Sequence, residues 1–254
     1  MIRTTGLIAL AALALAPAAQ ADGRGGKPRQ VMAVFAHPDD ELFMAPALAA
    51  LAREGAQVTI YHATRGDAGP GVSDLPKGPE LAARRSAEAK CAARALGATT
   101  HAIGNHADGK LAEDPQGKDS AATKLKVFFA REFASADLVL TWGPDGGYGH
   151  ADHRMVSALA TQVVQAMPTA KRPKLLYVGI PNGTLPPLPQ MASWATTDPA
   201  LLTETIAYTA SDLAAATTAA QCHETQFNAY SRDGMMTMFD GTIWRGKVHF
   251  RPAF

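Results

Sequence analysis

The chain has 254 residues, with 24 basic against 23 acidic side chains and a net charge of +1. Such a balance, without long basic runs, argues against nucleic acid as the main partner. Its two cysteines, Cys91 and Cys222, are too few for a disulfide scaffold or a cysteine-based zinc site.

Residues 1–21 combine a basic start at Arg3, an apolar run from Leu7 to Ala16 and the small-residue close Ala19-Gln20-Ala21. That layout predicts a cleaved secretory signal whose apolar part is too short to anchor in a bilayer. Cleavage near Ala21 would leave 254 − 21 = 233 residues in the periplasm or outside the cell, enough for one α/β domain. Asp22–Gln30 reads as a Gly-rich linker, and residues 31–254 as a single domain without a membrane span.

Val31–Ala36 is an uninterrupted apolar run, as expected of a strand buried on both faces. Alternation then continues: helix Glu41–Arg53, strand Val58–Thr64, helix Glu80–Leu96 stopped by Gly97, and a short strand Thr100–Ile103. Helix Lys124–Ala134, strand Leu138–Trp142, helix Ala151–Met167 and strand Leu175–Ile180 complete the series. Beyond Pro181 the pattern gives one helix, Ser211–Tyr230, and an irregular tail packed over the sheet. Repeated strand–helix alternation predicts a mostly parallel, Rossmann-like sheet with helices on both faces. Cys91 and Cys222 lie in Ala-rich helical patterns and are expected to be free, buried side chains.

Long loops follow the strands, at the end of a parallel sheet where ligands bind. Two clusters lie there. His37-Pro38-Asp39-Asp40-Glu41 follows the first strand, and Gly147-Tyr148-Gly149-His150-Ala151-Asp152-His153 follows the Leu138–Trp142 strand. Acids at a helix start have a structural reason of their own, since the helix dipole favours them. Two His/Asp clusters in matching positions, however, can converge on one metal ion. Three such ligands with an open position describe a catalytic zinc site better than a closed structural one. Spacing alone leaves open which aspartate binds the ion and which acts as base.

These clusters resemble those of the LmbE/PIG-L family of metal-dependent N-acetylglucosaminyl deacetylases. The resemblance extends to Thr64–Gly69, Arg85 with Glu88, Asp108–Leu111 and Cys222–Gln226. It implies a single deacetylase-like domain in which His37, Asp40 and His153 bind zinc or another divalent ion and Asp39 is the general base. It further implies that His150 and Tyr148 steady the tetrahedral intermediate, that Asp152 charges His150, and that Arg65 and Asp108 hold the sugar. The implied reaction removes acetyl from an N-acetylated amino sugar. A metal amidase acting on a non-sugar amide and a non-catalytic glycan- or metal-binding protein are the alternatives. Ala151, Asp67 and Thr225 depart from the family's Pro, Glu and Ser, and none removes a catalytic atom. His62 and His101 read as structural, His106 and His249 as loop or tail residues, and His223 as a packing residue or substrate contact. Trp194, on a long loop, is the best-placed tryptophan for stacking on a sugar.

Overall fold

A computed structural model describes residues 29–254. The expected secretory signal and most of the expected linker lie outside the described residues. Strands β1 (Gln30–Phe35), β2 (Gln57–Thr64), β3 (Thr100–His106), β4 (Leu138–Trp142) and β5 (Lys174–Val178) alternate with helices α1 (Ala45–Arg53), α2 (Pro79–Ala95), α3 (Ala121–Glu132) and α4 (Ala151–Ala166). They are followed by β6 (Glu204–Ala207), α5 (Ala210–Cys222), α6 (Ala229–Phe239) and β7 (Lys247–Pro252). The seven strands form one sheet in the order β3-β2-β1-β4-β5-β7-β6. The first five are parallel, while β7 runs antiparallel to both β5 and β6. No helix of the described residues is long and apolar enough to cross a membrane.

The unbroken apolar run of β1 is explained by its central position. Val31, Ala33 and Phe35 face one core, packed with α1, α5 and α6, while Met32, Val34 and Ala36 face the other, packed with α3 and α4. Successive side chains of a strand point to opposite faces, so both faces of β1 must be apolar.

Three expectations need correction. The tail is not merely irregular: β6 and β7 extend the sheet, and alternating burial of Val248 and Phe250 shows β7 with one face on the core. Ser211–Tyr230 is not one helix either. The chain turns out of helical geometry at His223, and Asn228 starts α6 by accepting the Ser231 N–H. The start of α5 carried an unread signal, a capping box between Thr209 and Asp212.

The cysteines, expected to be free and buried, form a disulfide between α2 and α5. Ala89, Ala92 and Ala93 occupy the buried face of α2, and Cys91 lies beside it, exposed and turned to α5. The bridge spans 131 residues of sequence, so it removes much freedom from the unfolded chain. Replacing both cysteines by serine should lower the unfolding free energy by about 2–4 kcal/mol. Urea titrations of the two proteins read this directly, and overlapping curves would contradict it.

Candidate active site

β1 and β4 are neighbours, and from them the chain proceeds to opposite edges of the sheet. Such a reversal opens a crevice at the carboxyl ends of the strands. Both His/Asp clusters emerge there.

At the end of β1, the N–H groups of Ala36 and His37 donate to Asp40 Oδ2 at 3.1 and 2.8 Å. Asp40 is thereby fixed over the strand end. Between them Asp39 adopts φ 102°, a left-handed conformation unusual for a residue with a side chain. Its N–H donates to Glu41 Oε2 at 3.0 Å. Its carboxylate receives Arg85 Nη2 at 3.2 Å, and the same nitrogen donates to the Pro38 carbonyl at 2.6 Å. Arg85 Nη1 also holds the Gly66 carbonyl, at 2.9 Å. Gly66 is irreplaceable here: φ is +67°, and a Cβ would stand 2.2 Å from the guanidinium.

After β4, the loop ends at His150, which caps α4 by accepting the Asp152 N–H on Nδ1 at 3.2 Å. Ala151 is the first helical residue, where a proline fits equally well. His153, one turn in, is buried and stacked on Trp142 with an interplanar angle of 6°. Gly147 has φ +71° and no room for a Cβ, which would lie 2.8 Å from the Trp142 ring.

Tautomers follow from the outer contacts of the rings. His153 Nδ1 lies 3.1 Å from the Gly146 carbonyl and must donate, so Nε2 carries a lone pair. That nitrogen is 2.9 Å from Asp40 Oδ1 and 3.2 Å from His37 Nδ1. His37 Nε2 lies 3.0 Å from Asp108 Oδ1 and 3.3 Å from Asp152 Oδ2 and likewise donates outward. Once His37 gives up its second proton, its Nδ1, 3.7 Å from Asp40 Oδ2, also presents a lone pair inward. Donor atoms of three buried side chains then converge on one point. The 2.9 and 3.2 Å from His153 Nε2 to Asp40 Oδ1 and His37 Nδ1 are close to the edge of about 3.3 Å expected for a tetrahedron with bonds of about 2.0–2.1 Å. His37, Asp40 and His153 fit a divalent ion, and each histidine has the outward partner that orients a ligand. His37, His150 and His153 form a second possible grouping, as do His37, Asp108 and Asp152.

Protonation follows the same field. Burial disfavours charge on His37, but Asp108, Asp152 and Asp40 outweigh it and push the ring up to about 10. Burial would likewise raise the Asp40 carboxyl, yet His153 and His37 hold it far below the usual range. A cation must displace the His37 proton, so metal uptake weakens as pH falls. Burial raises the Asp39 carboxyl, with Arg85 opposing it. Tyr148 is pushed up by burial and then by Asp40, which keeps its hydroxyl protonated.

Two expected roles change. Asp152 favours charge on His150 but does not prevail there: its carboxylate is fully buried on His37 and on the N–H groups of Gly109 and Leu111, at 2.8 and 3.0 Å. His150 is instead lowered by burial and by its histidine neighbours. With Nδ1 accepting, the neutral ring keeps a donor proton on Nε2. Asp108 has a duty within the protein that the sequence did not suggest: one oxygen faces His37 and the other accepts the Ala68 N–H at 2.9 Å. His37 and Ala68 together draw its carboxyl down to about 2 against the effect of burial. Arg65 is exposed and lines a separate depression with Asp67, Asn105 and His106. Tyr148 stands with His150 and His153, ring centroids 5.9 and 5.1 Å apart, and Trp194 lies 5.3 Å from it.

Sequence reasoning did not give Glu41 a role. It is fully buried and bridges His62 Nε2, at 2.9 Å, and His223 Nε2, at 2.6 Å. Glu88 similarly accepts the backbone N–H and hydroxyl of Thr225, at 3.0 and 2.6 Å. The acidic run was readable; its inward partners, far along the chain, were not.

The family profile described as "PIG-L: GlcNAc-PI de-N-acetylase" matches residues 32–164, just over half of the chain. The chain belongs to this family. It is similar to a 1D-myo-inositol 2-acetamido-2-deoxy-alpha-D-glucopyranoside deacetylase of Rhodococcus erythropolis, 31% identical over 166 residues, covering 58% of this chain and 56% of that protein. A deacetylase of the same description from Catenulispora acidiphila is 34% identical over 162 residues, covering 56% and 53%. The chain thus spans a little over half the length of these relatives. Among solved structures, N,N'-diacetylchitobiose deacetylase from Pyrococcus horikoshii superposes with a TM-score of 0.65 at 19% identity, covering 88% of this chain and 83% of that one. GalB, a 4-carboxy-2-hydroxymuconate hydratase from Pseudomonas putida, reaches 0.60 at 14% identity, covering 89% and 96%. At such identities the likeness establishes the fold, and two different chemistries share it.

Proposed function

We propose that this protein is a metal-dependent hydrolase that removes acetyl from the nitrogen of a GlcNAc-type amino sugar. The observation that carries the proposal is the convergence of His37, Asp40 and His153 beside an anchored Asp39. Relatives named as deacetylases of acetamido sugars support it. Zinc suits two imidazoles and a carboxylate, a donor set that other first-row ions also accept.

When bound, a divalent ion would supply the Lewis acidity that activates water near neutral pH and polarises the amide carbonyl. The chain's residues do the rest. Asp39 accepts a proton from the attacking water and passes it to the departing amine. Arg85 holds that carboxylate, and Glu41 fixes the Asp39 backbone by accepting its N–H. The Tyr148 hydroxyl and the His150 Nε2–H are donors available to the carbonyl oxygen as charge grows on it. Asp108 and Asp152 orient His37 without touching substrate.

Export to an oxidising compartment is part of the proposal. The Cys91–Cys222 bridge supports it, since such bonds persist outside the reducing cytosol.

Release of acetate from soluble and polymeric N-acetyl sugars by the purified protein tests the reaction; no release from any of them would refute it. His37→Ala and His153→Ala should each lose the ion on elemental analysis and lose turnover with it. Full occupancy in both variants would dismiss the ligand assignment.

A further inference from the structure

Helix α2 holds two parts of the chain at once. Its Arg85 meets the Asp39 carboxylate at 3.2 Å, its Glu88 accepts the N–H and hydroxyl of Thr225, and its Cys91 is bonded to Cys222. These residues recur every third position, each about one turn after the last. One helix thereby grips both the base and the stretch Cys222–Thr225. His223 lies within that stretch, fully buried, where α5 ends.

His223 carries the second grip to the base. Its Nε2 lies 2.6 Å from Glu41 Oε1, and Glu41 Oε2 accepts the Asp39 N–H at 3.0 Å. That N–H belongs to the residue whose φ of 102° its surroundings must impose. Two routes therefore run from α2 to Asp39: through Arg85 to its carboxylate, and through the bridge, His223 and Glu41 to its backbone. The second route begins with a covalent bond that external reagents can reach, because Cys91 is exposed.

We infer that His223 is a positioning residue for Asp39 and that the Cys91–Cys222 bridge sets it, so that turnover depends on the oxidation state of this bond. The inference rests on the deacetylase proposed above, with Asp39 as its base. With the bridge closed, the end of α5 is fixed against α2, and His223 keeps the Glu41 carboxylate turned to the Asp39 N–H. With the bridge open, Glu88 still keeps Thr225 beside α2 and the molecule stays folded. The end of α5 is then free to turn, His223 no longer holds Glu41, and Asp39 leaves its left-handed conformation. Asp40 is tied separately to the N–H groups of Ala36 and His37, so the residues proposed to bind the ion stay in place. A chain made in a reducing compartment is idle until it is oxidised.

A water-soluble phosphine opens the bridge. Phosphorus takes the oxygen of one water to become a phosphine oxide, and the two hydrogens leave Cys91 and Cys222 as thiols. Oxidised glutathione closes it again, accepting the two electrons and two protons as two molecules of thiol. Reduction, followed by removal of the phosphine, should lower kcat on an N-acetylglucosaminide about tenfold, with KM and ion content unchanged. Glutathione should restore it. The Cys91→Ser, Cys222→Ser double variant should match the reduced protein and ignore the phosphine. His223→Ala should lower kcat about a hundredfold, the scale of a slightly misplaced reacting group. His223→Gln, whose amide N–H stands where Nε2 was, should recover most of that loss. Reduction of His223→Ala should cost nothing further, because both changes act along one route. Asp212→Ala breaks the capping box at the other end of α5 and should lower stability without lowering kcat. A further loss on reducing His223→Ala would overturn the inference. So would a fall of kcat in Asp212→Ala equal to that on reduction.

Hydrogen exchange at the Asp39 amide separates the device from the chemistry. Reduction and His223→Ala should each speed this exchange about tenfold or more, since both release the N–H from Glu41. Faster exchange without turnover of any substrate would uphold the link from the bridge to Asp39 and refute the hydrolase. An unmoved kcat or an unmoved exchange on reduction would refute the link even in an active enzyme.

Discussion

Asp39→Asn should keep its ion and its fold and lose about two to four orders of magnitude in turnover, the scale of a lost general base. The amide is nearly isosteric and tolerates the left-handed backbone, but it accepts no proton at neutral pH. Elemental analysis and kcat/KM, measured on the same preparation, check both halves. Loss of the ion would mean that Asp39 and Asp40 exchange roles. The native carboxyl is raised by burial, so it is unprotonated above that raised value and protonated below it. Activity of the native enzyme should therefore fall as pH drops through the raised value, and the residual activity of the variant should lack that limb. Asp39→Gly sharpens the test. Relief of a strained φ of 102° should stabilise the fold by about 1 kcal/mol while turnover disappears. A variant at once more stable and inactive marks strain held for function.

Glu41→Ala should cost about 3–5 kcal/mol, because it leaves two buried histidines without their carboxylate. Glu41→Gln tests the charge alone through pH. Burial would raise the Glu41 carboxyl, but His223 and His62 hold it well below its ordinary value. Its contribution is present above pH 4.5 and is lost as pH falls through the depressed value. Burial would lower His223, yet Glu41 raises it. That contribution is complete below pH 6.5 and is lost as pH rises through the raised value. The pair therefore stabilises most between about pH 4.5 and 6.5. In Glu41→Gln, His223 loses its main counter-charge, so stability should rise as pH climbs towards 6.5 and should not fall above it. Urea titrations across this range, with both proteins saturated with the ion, decide the matter. Parallel profiles would show that the pair carries no charge-dependent stability.

Local chemistry was legible in the sequence; distant pairing was not. β1 announced itself because a central strand must be apolar on both faces, and the two clusters because each directly follows a strand. Residues 37–41 also showed three acids where a helix start would tolerate them, which concealed how differently they are used. Asp40 closes the strand end, Asp39 points to Arg85, and Glu41 turns inward to histidines of β2 and of the segment after α5. Asp108 and Asp152 share a duty expected of neither, because the outward nitrogen of His37, a position in space, selects them both. Cys91 looked buried because alanines surround it in sequence, although helical geometry places it one step off their face.

The strand order has a consequence for how the molecule is made. β6 has only β7 as a neighbour in the sheet, and residues 208–246 separate the two in sequence. On a growing chain, β6 would emerge with no strand to join and would wait until Lys247–Pro252 followed it. When β7 arrives it pairs with β5 and β6 together, and it draws in the intervening segment that carries His223 and α6. The residues proposed to bind the ion follow β1 and β4 and are complete in sequence about a hundred residues earlier. Synthesis therefore delivers the residues proposed to bind the ion first and the histidine partner of Glu41 later. A chain released before β7 would hold all three of those residues and lack the strand that joins β6 to the sheet.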